Sequence, residues 1–154
     1  MDIFEAIKKR RSIRRYKNRE IPGEILAKIL DAGKSAPSAG NVHPEIFFVI
    51  NEQEIKDKIA SAALNQYFIS KAPVVVVVCA DVEKSELHYG SRGRELYCIQ
   101  DTAAAIENML LLATALGIGS CWVGAYDEHK ISEILNLPKN VRPLAIIPFG
   151  YPNE

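Results

Sequence analysis

The chain has few of the residues from which metal sites and disulfide frameworks are built, with three histidines and three cysteines in 154 residues. Cys79, Cys98 and Cys121 are odd in number, follow no metal-ligand spacing and lie in apolar or helical surroundings. That pattern implies buried thiols in a reducing compartment rather than cross-links. His43, His88 and His129 stand far apart with no acidic or cysteine partner at ligand spacing, so no metal is expected. The longest apolar runs, Ala72–Ala80 and Met109–Gly119, are too short and too interrupted by proline or glycine to span a bilayer. With no signal-like stretch behind Asp2-Ile-Phe-Glu5, the sequence reads as soluble and cytoplasmic, without a membrane partner.

Several catalytic signatures are also missing. No Gly-x-Ser-x-Gly elbow and no phosphate-loop lysine motif occurs. Gly117-Ile-Gly119 falls between a helical pattern and a strand pattern, the reverse of the order a dinucleotide-binding turn needs. Catalytic side chains are therefore not expected, and any chemistry belongs to a bound group.

Net charge is zero, yet eight of the nineteen Lys and Arg lie in the first nineteen positions, leaving eleven against seventeen Asp and Glu in the rest. A charge run is ordinarily a solvated face. In an extended segment, however, Arg10, Ser12 and Arg14 emerge on one side, two guanidinium forks with a hydroxyl between them. Planar forks make paired, charge-assisted bonds to phosphate oxygens, so this donor set suits a phosphate monoester. Ile13 and Tyr16 are placed to anchor the segment. Nucleic acid is a remote alternative, because Tyr16 is the only stacking aromatic in the run.

Apolar spacing predicts helices behind the Asp2 cap to about Lys9, over Ile21–Gly33, through Glu52–Leu64, over Glu95–Gly117 and behind an Asp127 cap. Ala103, Ala104 and Ala105 give the long helix a narrow face for close approach. Glu45–Ile50 reads as a strand, Pro73–Ala80 as a central strand buried on both faces, and Gly119–Ala125 as a short strand ending in a turn. Arg142–Gly150 reads as a closing strand that Pro143 and Pro148 place at an edge or bulge. Ser35–Pro44 reads as a loop and residues 81–93 as irregular. The order α-α-β-α-β-α-β-α-β, without repeats or linkers, is that of one α+β domain over residues 1–154.

Three separated segments together resemble the nitroreductase family of flavin enzymes: Arg10-Arg-Ser-Ile-Arg-Arg-Tyr16, Ala36-Pro-Ser-Ala-Gly-Asn-Val-His-Pro44 and Leu116–Glu128. The resemblance runs from about residue 1 to Tyr151. It implies a homodimer with a mixed or antiparallel sheet and FMN at the subunit interface. It also implies NAD(P)H as donor, an electron-poor acceptor such as a nitroaromatic or quinone, and a ping-pong cycle. By position, Arg10 and Ser12 would hold the FMN phosphate and Arg14 would lie beside the flavin N1–O2 edge. Pro37, Ser38 and Asn41 would come from the partner subunit. Val123, Gly124 and Ala125 would offer backbone groups near N5 and O4, and Asn65 would match an amide contact. Trp122 and Tyr126 are either pocket walls or core. The sequence departs from the family in having His43 in place of a glutamine and Glu45 in place of an aromatic residue. Family members also continue into a basic C-terminal arm, so the phosphate ligand carried there is expected to be missing, with Arg11 and Arg15 to compensate. A non-catalytic flavin-storage protein on the same fold is the alternative this departure raises.

Overall fold

Val74–Asp81 (β2) is the axis of the structure, because its continuous valine run leaves neither face able to meet water. Val75, Val77 and Cys79 pack on one side with Ile59, Ile131 and Ile146, while Val76 and Val78 pack on the other with Ile29, Ile106, Met109 and Ile147. The computed structural model describes all of residues 1–154. β2 lies between β1 (Glu45–Ile50) and β4 (Val141–Gly150), and β3 (Gly119–Ser120) closes the order β1-β2-β4-β3. All three pairings are antiparallel. Burial on both sides is thus achieved by helices covering an antiparallel sheet, with α2 (Gly23–Lys34) and α6 (Cys98–Ala115) on one face and α3 (Gln53–Ala62) and α7 (Glu128–Ile134) on the other.

β4 is not an edge strand along its length, which corrects one half of the sequence reading. The bulge half holds, since the register with β2 shifts between Val78 and Cys79, opposite Ala145 and Pro143. Pro143 therefore sits where a ladder bond is already missing. β3 pairs only Gly119 and Ser120, and Val123 adds a single bridge to Ile146.

α1 (Ile3–Lys9) starts at Asp2, whose Oδ1 accepts the Glu5 N–H at 2.9 Å. Val82–Arg92 (α5) is helical with a break at Gly90, φ 61°, where the sequence suggested irregular chain. Only Val82 and Ser85 of it are buried, so its apolar period is too sparse to read, although Asp81 caps it by accepting the Lys84 N–H. A π-helical turn, Gly93–Tyr97, occupies the expected start of the long helix and delays α6 to Cys98. A four-residue helix, α4 (Phe68–Lys71), and a 3-10 turn at Ala39–Asn41 complete the chain. Of Ala103, Ala104 and Ala105 on α6, only Ala105 is fully buried within the chain. The three thiols are free and buried. No helix is long and apolar enough to cross a membrane.

Candidate functional site

Arg10–Tyr16 leaves α1 as extended chain and is fastened at both ends. Ile13 N–H donates to the Ser120 carbonyl at 2.9 Å as Ser12 bridges Ser120, while Lys17 N–H donates to Tyr151 O at 2.8 Å and Tyr16 bridges Pro152. Ile13 and Tyr16 are buried, as their interleaving with the arginines suggested. The Tyr16 hydroxyl turns back to donate to the Ile13 carbonyl, closing the segment on itself.

Burial, then the neighbouring Cys121 and Glu154, push the Tyr16 phenol well above the ordinary tyrosine range. A raised folded value means that stability from this group is complete below the unfolded value near pH ~10 and is lost as pH rises beyond it. Tyr16→Phe is expected to cost about 1 kcal/mol at neutral pH, the net worth of one hydrogen bond. It should also make the alkaline loss of stability shallower, and denaturant midpoints measured at neutral pH and above pH ~10 test both signs. Equal alkaline slopes in the two proteins would contradict this role.

With the backbone fixed, the polar side chains divide. Arg11 pairs with Glu154 at 3.0 Å, and the same carboxylate accepts the Arg14 N–H at 3.0 Å. The Arg14 N–H first, with Arg11 adding to it, holds Glu154 below the usual carboxylate range. Arg10 reaches Glu107 of α6 only at 3.9 Å, and neither the Arg14 guanidinium nor the Ser12 hydroxyl has a protein partner. Two forks and a hydroxyl thus remain unspent, whereas Arg11 is occupied.

Downstream of β3, Val123 spends both backbone groups on Ile146, at 2.9 and 3.0 Å. The N–H groups of the exposed Gly124 and Ala125 donate to nothing in the chain. A Cβ added at Gly124 would meet no atom within 4 Å, so the space over this turn is open. Its conformation is held from an unexpected side, where Gln66 Nε2 donates to Ala125 O at 2.9 Å and to Ala63 O at 2.8 Å. Gln66 follows Leu64 and Asn65, both at positive φ, so Asn65 stands on a tight turn beside the Gly124 turn. Nothing in the sequence singled out Gln66, whose partner lies 59 residues away. Tyr126 belongs to the core and donates to Pro143 O at 3.0 Å, whereas Trp122 is 41% exposed.

The Pro37–Asn41 loop is built separately. Gly40 and Asn41 both have φ 58°, and His43 follows at 52°. Only glycine enters that region freely, and at Gly40 a Cβ would also strike the Tyr89 hydroxyl. Ser38 Oγ accepts the His43 N–H at 2.9 Å, and Asp101 of α6 accepts the Ala39 N–H at 3.0 Å. No hydrogen bond or ion pair joins this loop to Arg10, Ser12 or Arg14. Both sets border α6, one at Asp101 and the other at Glu107.

The largest cavity lies elsewhere, about 760 Å³ between α7 and the start of β4. Five of its charged or titratable side chains are paired, Arg142 with Glu128 at 3.1 Å, Arg94 with Glu86 at 2.7 Å and His129 with Glu133 at 2.9 Å, whereas Glu95 and Lys139 have no ion pair.

The sequence pattern of the Nitroreductase family matches residues 7–71 and 60–151. A relative from Methanothermobacter thermautotrophicus, provisionally named an NADH dehydrogenase/NAD(P)H nitroreductase, is 37% identical over all of this chain and 79% of its own length. The FMN reductase [NAD(P)H] of Bacillus subtilis is 29% identical over 99% of the chain and 67% of its own. Among solved structures, a nitroreductase family protein from Clostridium novyi NT superimposes with a TM-score of 0.92 at 34% identity, covering 100% of this chain and 87% of that one. An FMN-dependent nitroreductase from Clostridium difficile R20291 does so with a TM-score of 0.85 at 31% identity, covering 98% and 88%.

Proposed function

Because the chain belongs to the nitroreductase family, we propose that it is an FMN-dependent oxidoreductase that takes electrons from NAD(P)H. The observation that carries this reading is the unspent donor set of Arg10, Ser12 and Arg14 on a segment clamped to β3. When bound, FMN would supply two-electron chemistry, receiving hydride from the nicotinamide and passing electrons to a nitroaromatic, quinone or similar acceptor in a ping-pong cycle.

The roles of the chain's own groups follow from charge and space. Arg10 and Ser12 hold the phosphate through charge-assisted bonds. Arg14 places a fixed positive charge at the flavin edge where negative charge develops on reduction. Gly124 and Ala125 direct free N–H groups at the opposite edge, and the open space above Gly124 admits the substrate. Pro37, Ser38 and Asn41 act from a second copy, which agrees with the lack of any bond between that loop and the arginine segment. A homodimer also accounts for α1, whose Ile3, Phe4 and Ile7 are 59%, 76% and 57% exposed beside a groove of about 400 Å³ lined by Ala6, Leu111, Leu112 and Ala115. Apolar surface of that extent on a short helix calls for a cover.

The visible spectrum of the purified protein tests the reading, recorded with added FMN and then with NADH or NADPH without oxygen. The expected result is a yellow dimer by sedimentation that bleaches with nicotinamide and recovers on adding a quinone. Bound FMN that no nicotinamide reduces would leave a flavin carrier instead of an enzyme. Failure to bind FMN at all would sink both.

A further inference from the structure

His43 meets the Asn41 side chain through one ring nitrogen and a buried acid through the other. Nε2 lies 2.6 Å from Asn41 Oδ1, and Nδ1 lies 3.2 Å from Glu45 Oε1. With the amide oxygen toward Nε2 both ring nitrogens must donate, which only the imidazolium can do; with the amide NH₂ toward it Nε2 accepts, and the neutral ring keeps its proton on Nδ1 toward Glu45. The Glu45 side chain is 7% exposed, and Asp101 from α6 is 8% exposed with its Oδ2 buried and unpartnered. Burial is the main reason Asp101 is raised above the usual carboxylate range, and Glu45 raises it further while His43 opposes this. The other charged or titratable groups around His43 are Lys84 of α5, whose Nζ donates to the His43 carbonyl at 3.2 Å, Asp81, which accepts the Lys84 N–H, and Tyr89 beside Gly40. One buried carboxylate, Glu45, therefore contacts the ring, a second, Asp101, feels its charge through space, and the nearby lysine is directed at backbone.

We propose that His43 is a positioning residue for Asn41, its proton deciding which end of the Asn41 carboxamide the loop presents to the flavin. In the imidazolium form Nε2–H holds Oδ1, and the NH₂ group points outward to meet a carbonyl or hydroxyl oxygen. When the ring loses a proton to solvent, the remaining proton stays on Nδ1 toward Glu45. Nε2 then presents a lone pair to an oxygen, and the amide turns so that its NH₂ donates to the ring and its oxygen faces outward. A donor site becomes an acceptor site without movement of the backbone, which the positive-φ positions at Gly40, Asn41 and His43 hold in place. The ligand half of this proposal rests on Asn41 touching FMN, and the switch itself does not.

Two measurements keep those halves apart. In ¹⁵N-labelled protein taken through the histidine range, roughly pH 5 to 8, the Asn41 side-chain NH₂ resonances should shift with the same midpoint as the His43 ring nitrogens. They should stay still in His43→Gln, whose amide can hold Oδ1 without titrating. An Asn41 amide that ignores the His43 titration would overturn the switch. FMN affinity of the two proteins over the same range reads the ligand half. The phosphate titrates near pH ~6 in both, so the quantity of interest is their ratio. Wild type should match His43→Gln on the acid side and fall about tenfold behind it on the alkaline side, the effect of one hydrogen bond lost to a facing acceptor. A constant ratio would overturn the ligand half. Failure of both proteins to bind FMN would remove the flavin reading, and the resonance titration would still decide the switch.

Discussion

Alanine at both Arg10 and Arg14 is expected to give a folded, colourless protein whose affinity for FMN is lower by about 10² to 10⁴-fold. The figure follows from two hydrogen bonds made by charged groups, one to the phosphate and one to the flavin edge, at about 1.5–3 kcal/mol each, converted at 1.4 kcal/mol per tenfold. Folding should be almost untouched, since Arg10 meets Glu107 only at 3.9 Å and the Arg14 guanidinium has no partner within the chain. Exposed residues without structural partners alter stability by no more than about 0.5 kcal/mol. Flavin fluorescence titration and thermal melting, run on the same preparations, separate binding from folding. The lysine pair, which keeps charge and gives up the planar fork, should fall between wild type and the alanine pair. Undiminished FMN binding by the alanine pair would remove both assignments, Arg10 at the phosphate and Arg14 at the flavin edge.

Gly119→Val should damage both fold and site. A Cβ at Gly119 would come within 2.9 Å of Ile13 Cβ and Cγ2, closer than packed carbons tolerate. Ile13 cannot yield easily, because it is buried and its N–H is bonded to Ser120. Overpacking of this kind costs up to about 3 kcal/mol, and displacing Ile13 also carries Ser12 away from its place beside β3. The test is a double-mutant cycle in denaturant. Ile13→Ala alone should cost about 2–4 kcal/mol as a cavity, whereas the double variant should cost well below the sum, because the valine fills what the alanine leaves. Additive losses would mean that the two positions do not oppose each other and that β3 holds the arginine segment by other contacts.

How much of this was legible beforehand depends on whether the determining interaction is local. The β1 limits, the Asp2 and Asp127 caps and the two-sided burial of β2 are set by neighbouring residues, and the sequence pattern conveys them. So does the arginine segment, where Ile13 and Tyr16 mark which positions turn inward. α5 escaped notice because its buried set is only Val82 and Ser85. Pro143 and Pro148 argued for an edge, and β4 proved interior because a bulge and a two-residue neighbour accommodate them. The supports of the candidate site were invisible for a different reason. Ala39 with Asp101 and Gln66 with Ala125 join residues 62 and 59 positions apart, and each pair is polar, so no apolar period announces it. The resemblance to a flavin family identified the loops, and only the folded chain shows which polar groups brace them.

The prolines of β4 have one more effect. β2 takes the hydrogen bonds on one side of β4, so the imide nitrogen of Pro148 faces the other side, where Ile146 N–H is bonded to Val123 and Gly150 pairs with Gly119. A foreign strand approaching there would find a nitrogen that cannot donate, flanked by groups already engaged. Bare sheet margins are templates on which chains join into aggregates, and a two-residue β3 would otherwise leave most of one exposed. The sequence keeps its outer strand short at little risk of self-templated assembly, and the freedom from a longer strand there leaves the chain after Ser120 to form the open turn at Gly124.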